Sequence, residues 1–378
     1  MSTHVVVVGA GYAGTGLVQA LEGDPHLDLT WISDRARHVV KHEVHRIIRS
    51  PTLANGLAIP ISRIRSPETS FREERVVAVN RDRQTIDFAD GGSLSFDYLA
   101  LTVGANTAYY GIPGLNEHAY TVTGIEDTLA LREATMNRVG SGPIRIIIGG
   151  GGLSGVQVAG ELHDLAQESD FAVTISIVEA LDDILPNASN SLQARVTASL
   201  ERRDISTLTR APIVEASTDR VITGDEDELP ADIIVWTGGI TGGDITIESA
   251  LEHARNRISA DEMLRTSDPR IFALGDAAII QQHGVPAPPT AQAAWQAAPI
   301  AAANIKAAVT GKPLTPWEYE SKGTLVSIGD VAVAHGIPGV PRETFDSFPA
   351  AFLKKAVAAR WIASVDSWRH AASLWSDL

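Results

Sequence analysis

Dense apolar runs punctuate the chain: VVVV at 5–8, LDLTWIS at 27–33, FDYLALTV at 96–103, IRIII at 144–148 and AVTISIV at 172–178. Runs this short predict strands buried on both faces, the pattern of a parallel sheet. Apolar stretches long enough for helices begin at about Tyr12 and just after Gly155. The alternation of the two predicts an α/β fold.

Glycine marks the joints. Gly9, Gly11 and Gly14 follow the first run as G-x-G-x-x-G, and Gly150, Gly152 and Gly155 repeat the spacing after 144–148. In such a turn the first glycine permits the bend, the second admits a pyrophosphate to the backbone, and the third lets helix and strand close up. The helix N-terminus then offers free N–H groups and the positive end of its dipole. Each motif is trailed by a strand that ends at an acid. Asp34, with Ser33 beside it, lies 20 residues past Gly14, and Glu179 lies 24 past Gly155. A carboxylate there accepts from a ribose hydroxyl, and at Glu179 it would repel a 2′-phosphate, which favours NAD over NADP. Two such sites predict two dinucleotides, FAD and NAD, and a chain that turns a hydride into electrons. Trp236-Thr237-Gly238-Gly239 closes the last strand of the second site and is expected near the nicotinamide.

The end of the chain has another rhythm. Trp361, Trp368 and Trp375 are seven residues apart, so on one continuous helix they would share a stripe with Val357 and Val365. Residues 350–378 carry Lys354, Lys355, Arg360 and Arg369 against Asp366 and Asp377. An amphipathic helix of this kind is expected to meet a membrane surface or a second copy of the chain.

Composition narrows the chemistry. With no Cys, the chain cannot use a disulfide, a thiolate nucleophile or an iron–sulfur ligand of its own. A net charge of −15 disfavours nucleic acid. Six Lys against 25 Arg, within that acidic balance, suits solubility in high salt. No apolar run approaches the length of a transmembrane helix and no signal peptide is read, so the cytoplasm is expected. His38, His42, Glu43 and His45 cluster, but without the H-E-x-x-H spacing, so no metal is expected; the reading is a helix beside the flavin. ITGDEDELP at 222–230 reads as a solvated acidic hairpin.

Thr102-Val103-Gly104 and Gly275-Asp276 each close a strand. With the paired glycine motifs they resemble the two-dinucleotide-binding-domain flavoproteins, in which the Asp of the GD turn lies at the flavin ribityl-phosphate; that position is Asp276 here. The resemblance implies a discontinuous FAD domain at about 1–108 and 241–314, an inserted NAD domain at about 109–240, and a C-terminal α/β segment at 315–378. Each of the two domains is then Rossmann-like.

Thr290 reads as the N-cap of a helix on which Gln292 and Gln296, four apart, share a face. The stretch Ala291-Gln292-Ala293-Ala294-Trp295-Gln296 fits the A-Q-x-A-x-Q pattern of type II NADH dehydrogenases (NADH:quinone oxidoreductases), and 317–336 looks like the segment that follows it there. The acidic, Lys-poor version most resembles haloarchaeal members. This resemblance implies Gln292 and Gln296 at a quinone site and Ala293 at the flavin. It also implies a homodimer on the inner face of the cell membrane and no proton pumping. One position departs: where many members have G-V-E, this chain has Gly155-Val156-Gln157, and an amide cannot donate a proton as a carboxylic acid does. Glu161 is the nearest carboxylate. Two rival readings use the same glycine motifs: a soluble reductase of a ferredoxin- or rubredoxin-type carrier, and a redox-sensing flavoprotein.

Overall fold

The computed structural model describes residues 2–378, which divide into two compact units. The first comprises residues up to 39, 58–106 and 240–320; the second comprises 40–57, 107–239 and 321–378. The breaks at 106, 239 and 320 stand beside the expected boundaries at 108, 240 and 314. Two differences are structural. Residues 40–57 belong to the second unit, and 321–378 is part of that unit rather than a separate segment. The reason is packing: Ile48, Val326, Ile328 and Val333 lie in one buried cluster with Ile146, Val156 and Leu162 of the second unit.

In the first unit five parallel strands run in the order Ile271–Ala273, Tyr98–Leu101, Thr3–Val8, Leu27–Ser33, Ser70–Glu73. Val5 to Val8 are buried, as the unbroken apolar run requires of a central parallel strand. The helix Tyr12–Leu21 follows directly, and Leu17, Val18 and Leu21 bury its inner face. In the second unit the parallel order is Ala119–Tyr120, Ile233–Trp236, Ile144–Gly149, Val173–Val178, Ser206–Leu208, with the helix Leu153–Glu168 after the central strand. An antiparallel sheet of Thr324–Ile328, Val331–His335 and Thr344–Asp346 completes that unit. The acidic stretch is a hairpin, Arg220–Thr223 paired with Glu228–Pro230.

The two glycine turns are built by one device. A Cβ on Gly14 would stand 2.0 Å from the Gly9 carbonyl oxygen, and one on Gly155 would stand 2.0 Å from that of Gly150. A threonine from a neighbouring strand end closes each turn. Thr102 Oγ1 donates to the Val8 carbonyl at 2.8 Å, and Thr237 Oγ1 donates to the Gly150 carbonyl at 3.0 Å. The first turn has two further braces. The buried Trp31 indole donates to the Gly9 carbonyl at 2.9 Å, and His38 Nδ1 lies 2.8 Å from the Ala10 carbonyl.

The tryptophan stripe is not formed. The tail is two helices, Phe348–Val365 and Trp368–Leu374, broken at Asp366-Ser367. Ser367 caps the second helix, its hydroxyl accepting from the His370 N–H at 3.2 Å, and Asp366 Oδ2 meets His370 Nδ1 at 2.6 Å. Local capping thus outcompetes helix continuation. Trp361 is buried in the core, while Trp368 is 70% exposed. Among the described residues no helix is long and apolar enough to cross a membrane.

The glycine geometry separates folding from ligand approach. Gly14→Ala is expected to cost roughly 3 kcal/mol in chemical denaturation, the upper end of overpacking. Gly11→Ala, whose Cβ would meet nothing within 4 Å, is expected to leave the stability of the apoprotein within about 0.5 kcal/mol while weakening binding of the dinucleotide expected in that turn. Equal stability losses would refute the distinction.

Candidate functional site

Both helices that follow the glycine turns begin without a side-chain cap. Their first N–H groups are therefore left for a ligand, and the space beside Gly11 and Gly152 is open to 4 Å. These cradles fit a pyrophosphate in each unit. Ser33 is buried at its strand end and Asp34 is exposed just beyond it. Glu179 is buried; its Oε2 accepts from the Gly151 N–H at 2.6 Å and its Oε1 from the Leu181 N–H at 2.9 Å. It thus holds the glycine loop, at the strand end where the sequence expects a ribose partner.

The GD turn is a single 3₁₀ turn, Gly275–Ala277. A Cβ on Gly275 would lie 2.9 Å from Ala13 Cβ, so this turn sits tight against the first turn of the Tyr12–Leu21 helix. Arg257 braces it, its Nε donating to the Asp276 carbonyl at 2.8 Å. Asp276 and the first pyrophosphate cradle are therefore neighbours. Gly104 closes the Tyr98–Leu101 strand with a left-handed φ of 74°.

Thr290 caps the helix Ala291–Val309, accepting from the Ala293 N–H at 3.2 Å. The face expected of Gln292 and Gln296 is engaged by residues 319 and 320. The Tyr319 hydroxyl donates to Gln292 Oε1 at 2.6 Å. Gln296 makes a two-bond clip, its Nε2 donating to the Glu320 carbonyl at 2.8 Å and its Oε1 accepting from the Glu320 N–H at 3.1 Å. Nothing in sequence spacing points to Tyr319, which comes to Gln292 only through the return of the chain.

Gln157 lies in the other unit. Its Nε2 donates to Ser327 Oγ at 3.1 Å and lies 3.3 Å from His45 Nε2, which is itself 3.0 Å from Ser327 Oγ. His42, Glu43 and His45 lie on the 3₁₀ helix Lys41–Ile48, which packs in the second unit among ion pairs. Lys354 Nζ is 2.8 Å from Glu43 Oε1 and Arg46 Nε 2.6 Å from Glu43 Oε2, all three groups being buried. Burial would raise the Glu43 pKa, but Lys354 and Arg46 together hold it well below the usual carboxylate range. Burial lowers His42 to about 4 and takes His45 well below its ordinary value.

Glu161 has a different fate. It is fully buried, and neither carboxyl oxygen has a hydrogen-bond partner. Arg46 Nη1 and Arg49 Nε stand 3.8 Å and 3.5 Å away. The close contacts of those arginines go elsewhere, Arg46 to Glu43 at 2.6 Å and Arg49 to Asp330 at 2.6 Å. Burial pushes the Glu161 carboxyl up to about 7, against the pull of Arg46 and Arg49.

Against this geometry, the profile of the family described as pyridine nucleotide-disulphide oxidoreductase matches residues 3–298. The chain belongs to that family. It is an FAD-dependent oxidoreductase of NAD(H). The type II NADH:quinone oxidoreductase of Staphylococcus saprophyticus is 27% identical, with 94% of each chain covered. Among solved structures, NDH2 from Plasmodium falciparum in complex with NADH superposes with a TM-score of 0.85 at 18% identity, covering 100% of this chain and 98% of that one. The sulfide:quinone oxidoreductase of Aquifex aeolicus gives 0.84 at 18% identity, covering 98% and 92%. At those identities the structures establish the fold. The family is named for disulfide chemistry, which a chain without Cys does not carry out with its own residues.

The Glu161 shift has a sign that can be measured. Its folded pKa of about 7 lies above the ordinary glutamate value of 4.5. The folded state therefore keeps a proton that the unfolded chain has released, and this stabilisation is lost as pH rises from about 4.5 through 7. The loss amounts to roughly 3 kcal/mol. His42 and His45, with lowered values, act oppositely below about 6.5, so the informative quantity is the difference from Glu161→Gln. Wild type is expected to lose ground to this variant as pH rises from 5 to 8 in urea denaturation; parallel profiles would contradict the assignment.

Proposed function

We propose that the chain is an NADH:quinone oxidoreductase of the type II kind, taking reducing equivalents from NADH and passing two electrons to a membrane quinone without pumping protons. The observation that carries this reading is similarity along 94% of both chains to an enzyme of that name, in a chain that has no Cys to receive electrons. When bound, FAD would accept hydride from NADH and deliver electrons to the acceptor. The chain's own residues position and insulate. The two glycine turns hold the pyrophosphates, and the dipole of the Ala291–Val309 helix favours negative charge at its Thr290 end.

In this reading Gln292, Gln296 and Tyr319 line the quinone side of the flavin unit, where the amides can exchange the Tyr319–Glu320 partners for a quinone carbonyl. Gln157 orients His45 and Ser327. Contact with lipid falls to the exposed aromatics of the tail. Phe348 is 79%, Phe352 51% and Trp368 70% exposed, and Phe352 packs edge-on against Trp375 at 5.4 Å. Such rings suit the membrane interface. A second copy of the chain is the competing occupant of this surface.

Steady-state NADH oxidation with a water-soluble quinone in high salt tests the reading. Quinone-dependent turnover is expected; flavin reduction by NADH without it would overturn the proposal. Gln292→Ala, Gln296→Ala and Tyr319→Phe are expected to raise the quinone KM several-fold and leave flavin reduction by NADH nearly unchanged. Slowed flavin reduction with an unchanged quinone KM would remove these residues from the acceptor side. Phe348→Ser with Trp368→Ser is expected to release the protein from anionic lipid vesicles at unchanged turnover of the soluble quinone. Unaltered sedimentation with vesicles would assign the aromatics to another role, and a fall in molecular mass would assign them to a dimer.

A further inference from the structure

The second unit carries one exposed aromatic side chain that the reading above leaves unused. Tyr110 is 68% exposed and holds a left-handed backbone, φ 53°. A bulky residue is rarely found there without a constraint that keeps it. The constraint is visible. The Ala108 N–H donates to the Gly239 carbonyl at 3.0 Å, the Trp236 indole donates to the Ala108 carbonyl at 2.8 Å, and the Tyr110 hydroxyl approaches the Gly238 carbonyl at 3.4 Å. The Tyr110 ring stands edge-on to Trp236, centroids 6.5 Å apart. A Cβ on Gly239 would lie 2.1 Å from the Tyr110 hydroxyl. Segment 108–110 is thus laced to the turn 236–239, with the Tyr110 ring held over that turn.

The position of this turn gives the ring a purpose. In an open parallel sheet a dinucleotide lies across the carboxyl ends of the strands, at the point where the strand order reverses. Here that point is the crevice between Ile144–Gly149 and Ile233–Trp236. The acid at the adenosine ribose, Glu179, ends the strand on one side of the glycine turn, and the pyrophosphate occupies the turn. The remaining half of the dinucleotide must therefore run toward the other neighbour, Ile233–Trp236, and the turn Thr237–Gly239. That turn is close to the glycine loop: a Cβ on Gly150 would lie 2.8 Å from Gly238 Cα.

We propose that Tyr110 is a positioning residue for the nicotinamide half of NAD(H), an aromatic wall that packs against the pyridine ring or its ribose as it leaves the glycine turn. The proposal rests on the reading of this unit as the NAD(H) site. It identifies the ligand part by chemistry: a planar ring, cationic in the oxidised cofactor, meeting a phenol face. No hydrogen bond from the hydroxyl to the cofactor is needed, and the Ala108 backbone ties and the Trp236 edge contact hold the ring without the long hydroxyl bond, so phenylalanine should serve equally.

The test compares ligands that share the adenosine and pyrophosphate but differ in the ring. Tyr110→Gly removes the side chain and suits the left-handed backbone, so folding is not at risk. NADH and NAD⁺ are expected to bind this variant about tenfold more weakly, while ADP-ribose, which lacks the nicotinamide, binds as to wild type. Tyr110→Phe is expected to bind all three as wild type does. Parallel loss of ADP-ribose would mean that the residue only braces the glycine turn, and unchanged binding of all three would mean a surface aromatic. Either overturns the proposal. Failure of wild type itself to bind ADP-ribose would instead overturn the NAD(H) reading of the unit.

Discussion

Both units depend on the contact between the third glycine of each turn and the carbonyl of the first. At 2.0 Å from a built Cβ to that oxygen, neither Gly14 nor Gly155 has room for any side chain. The closeness brings the helix down on the central strand and aims its uncapped N–H groups outward. Everything nearby reinforces this approach. A threonine hydroxyl from a neighbouring strand end ties each turn, and in the first unit Trp31 and His38 add two more braces. On the proposed reading, two copies of one phosphate cradle let a single chain hold both members of a hydride-transfer pair.

The second organising constraint is the buried charge beneath the Leu153–Glu168 helix. Glu43 is satisfied by Lys354 and Arg46, so it stays ionised and ties residue 43 to a tail residue 311 positions away. Such a pair stabilises little against an apolar alternative, yet it is costly to break from one side. Glu161 has charge nearby but no hydrogen bond, and burial prevails over the arginines. The same cluster thus contains one carboxylate fixed in its charge and one poised near neutrality. In a chain with an amide at Gln157, Glu161 is the buried carboxyl of the helix that burial raises toward neutrality.

Much of this was legible in the sequence because it is local. Strand, glycine turn, helix and trailing acid lie within some forty residues at each site, and Thr290 caps the helix expected of it. What the sequence missed depends on distant segments. Tyr319 and Glu320 reach the glutamine helix, Ser327 reaches Gln157, and residues 40–57 join the second unit, all by tertiary packing without a periodic signal. The tryptophan stripe failed for a local reason that the heptad spacing concealed. Asp366 and Ser367 start a new helix, so Trp368 leaves the face on which Trp361 is buried and lies at the surface.

The central claim is that two dinucleotide cradles in one chain serve a single electron path from NADH to a quinone. Anaerobic stopped-flow spectroscopy separates its two halves. The account predicts that NADH bleaches the bound flavin and that quinone, added afterwards without oxygen, restores its absorbance at a rate sufficient for steady-state turnover. A flavin that NADH bleaches, that quinone leaves reduced and that a small iron–sulfur protein reoxidises would contradict it.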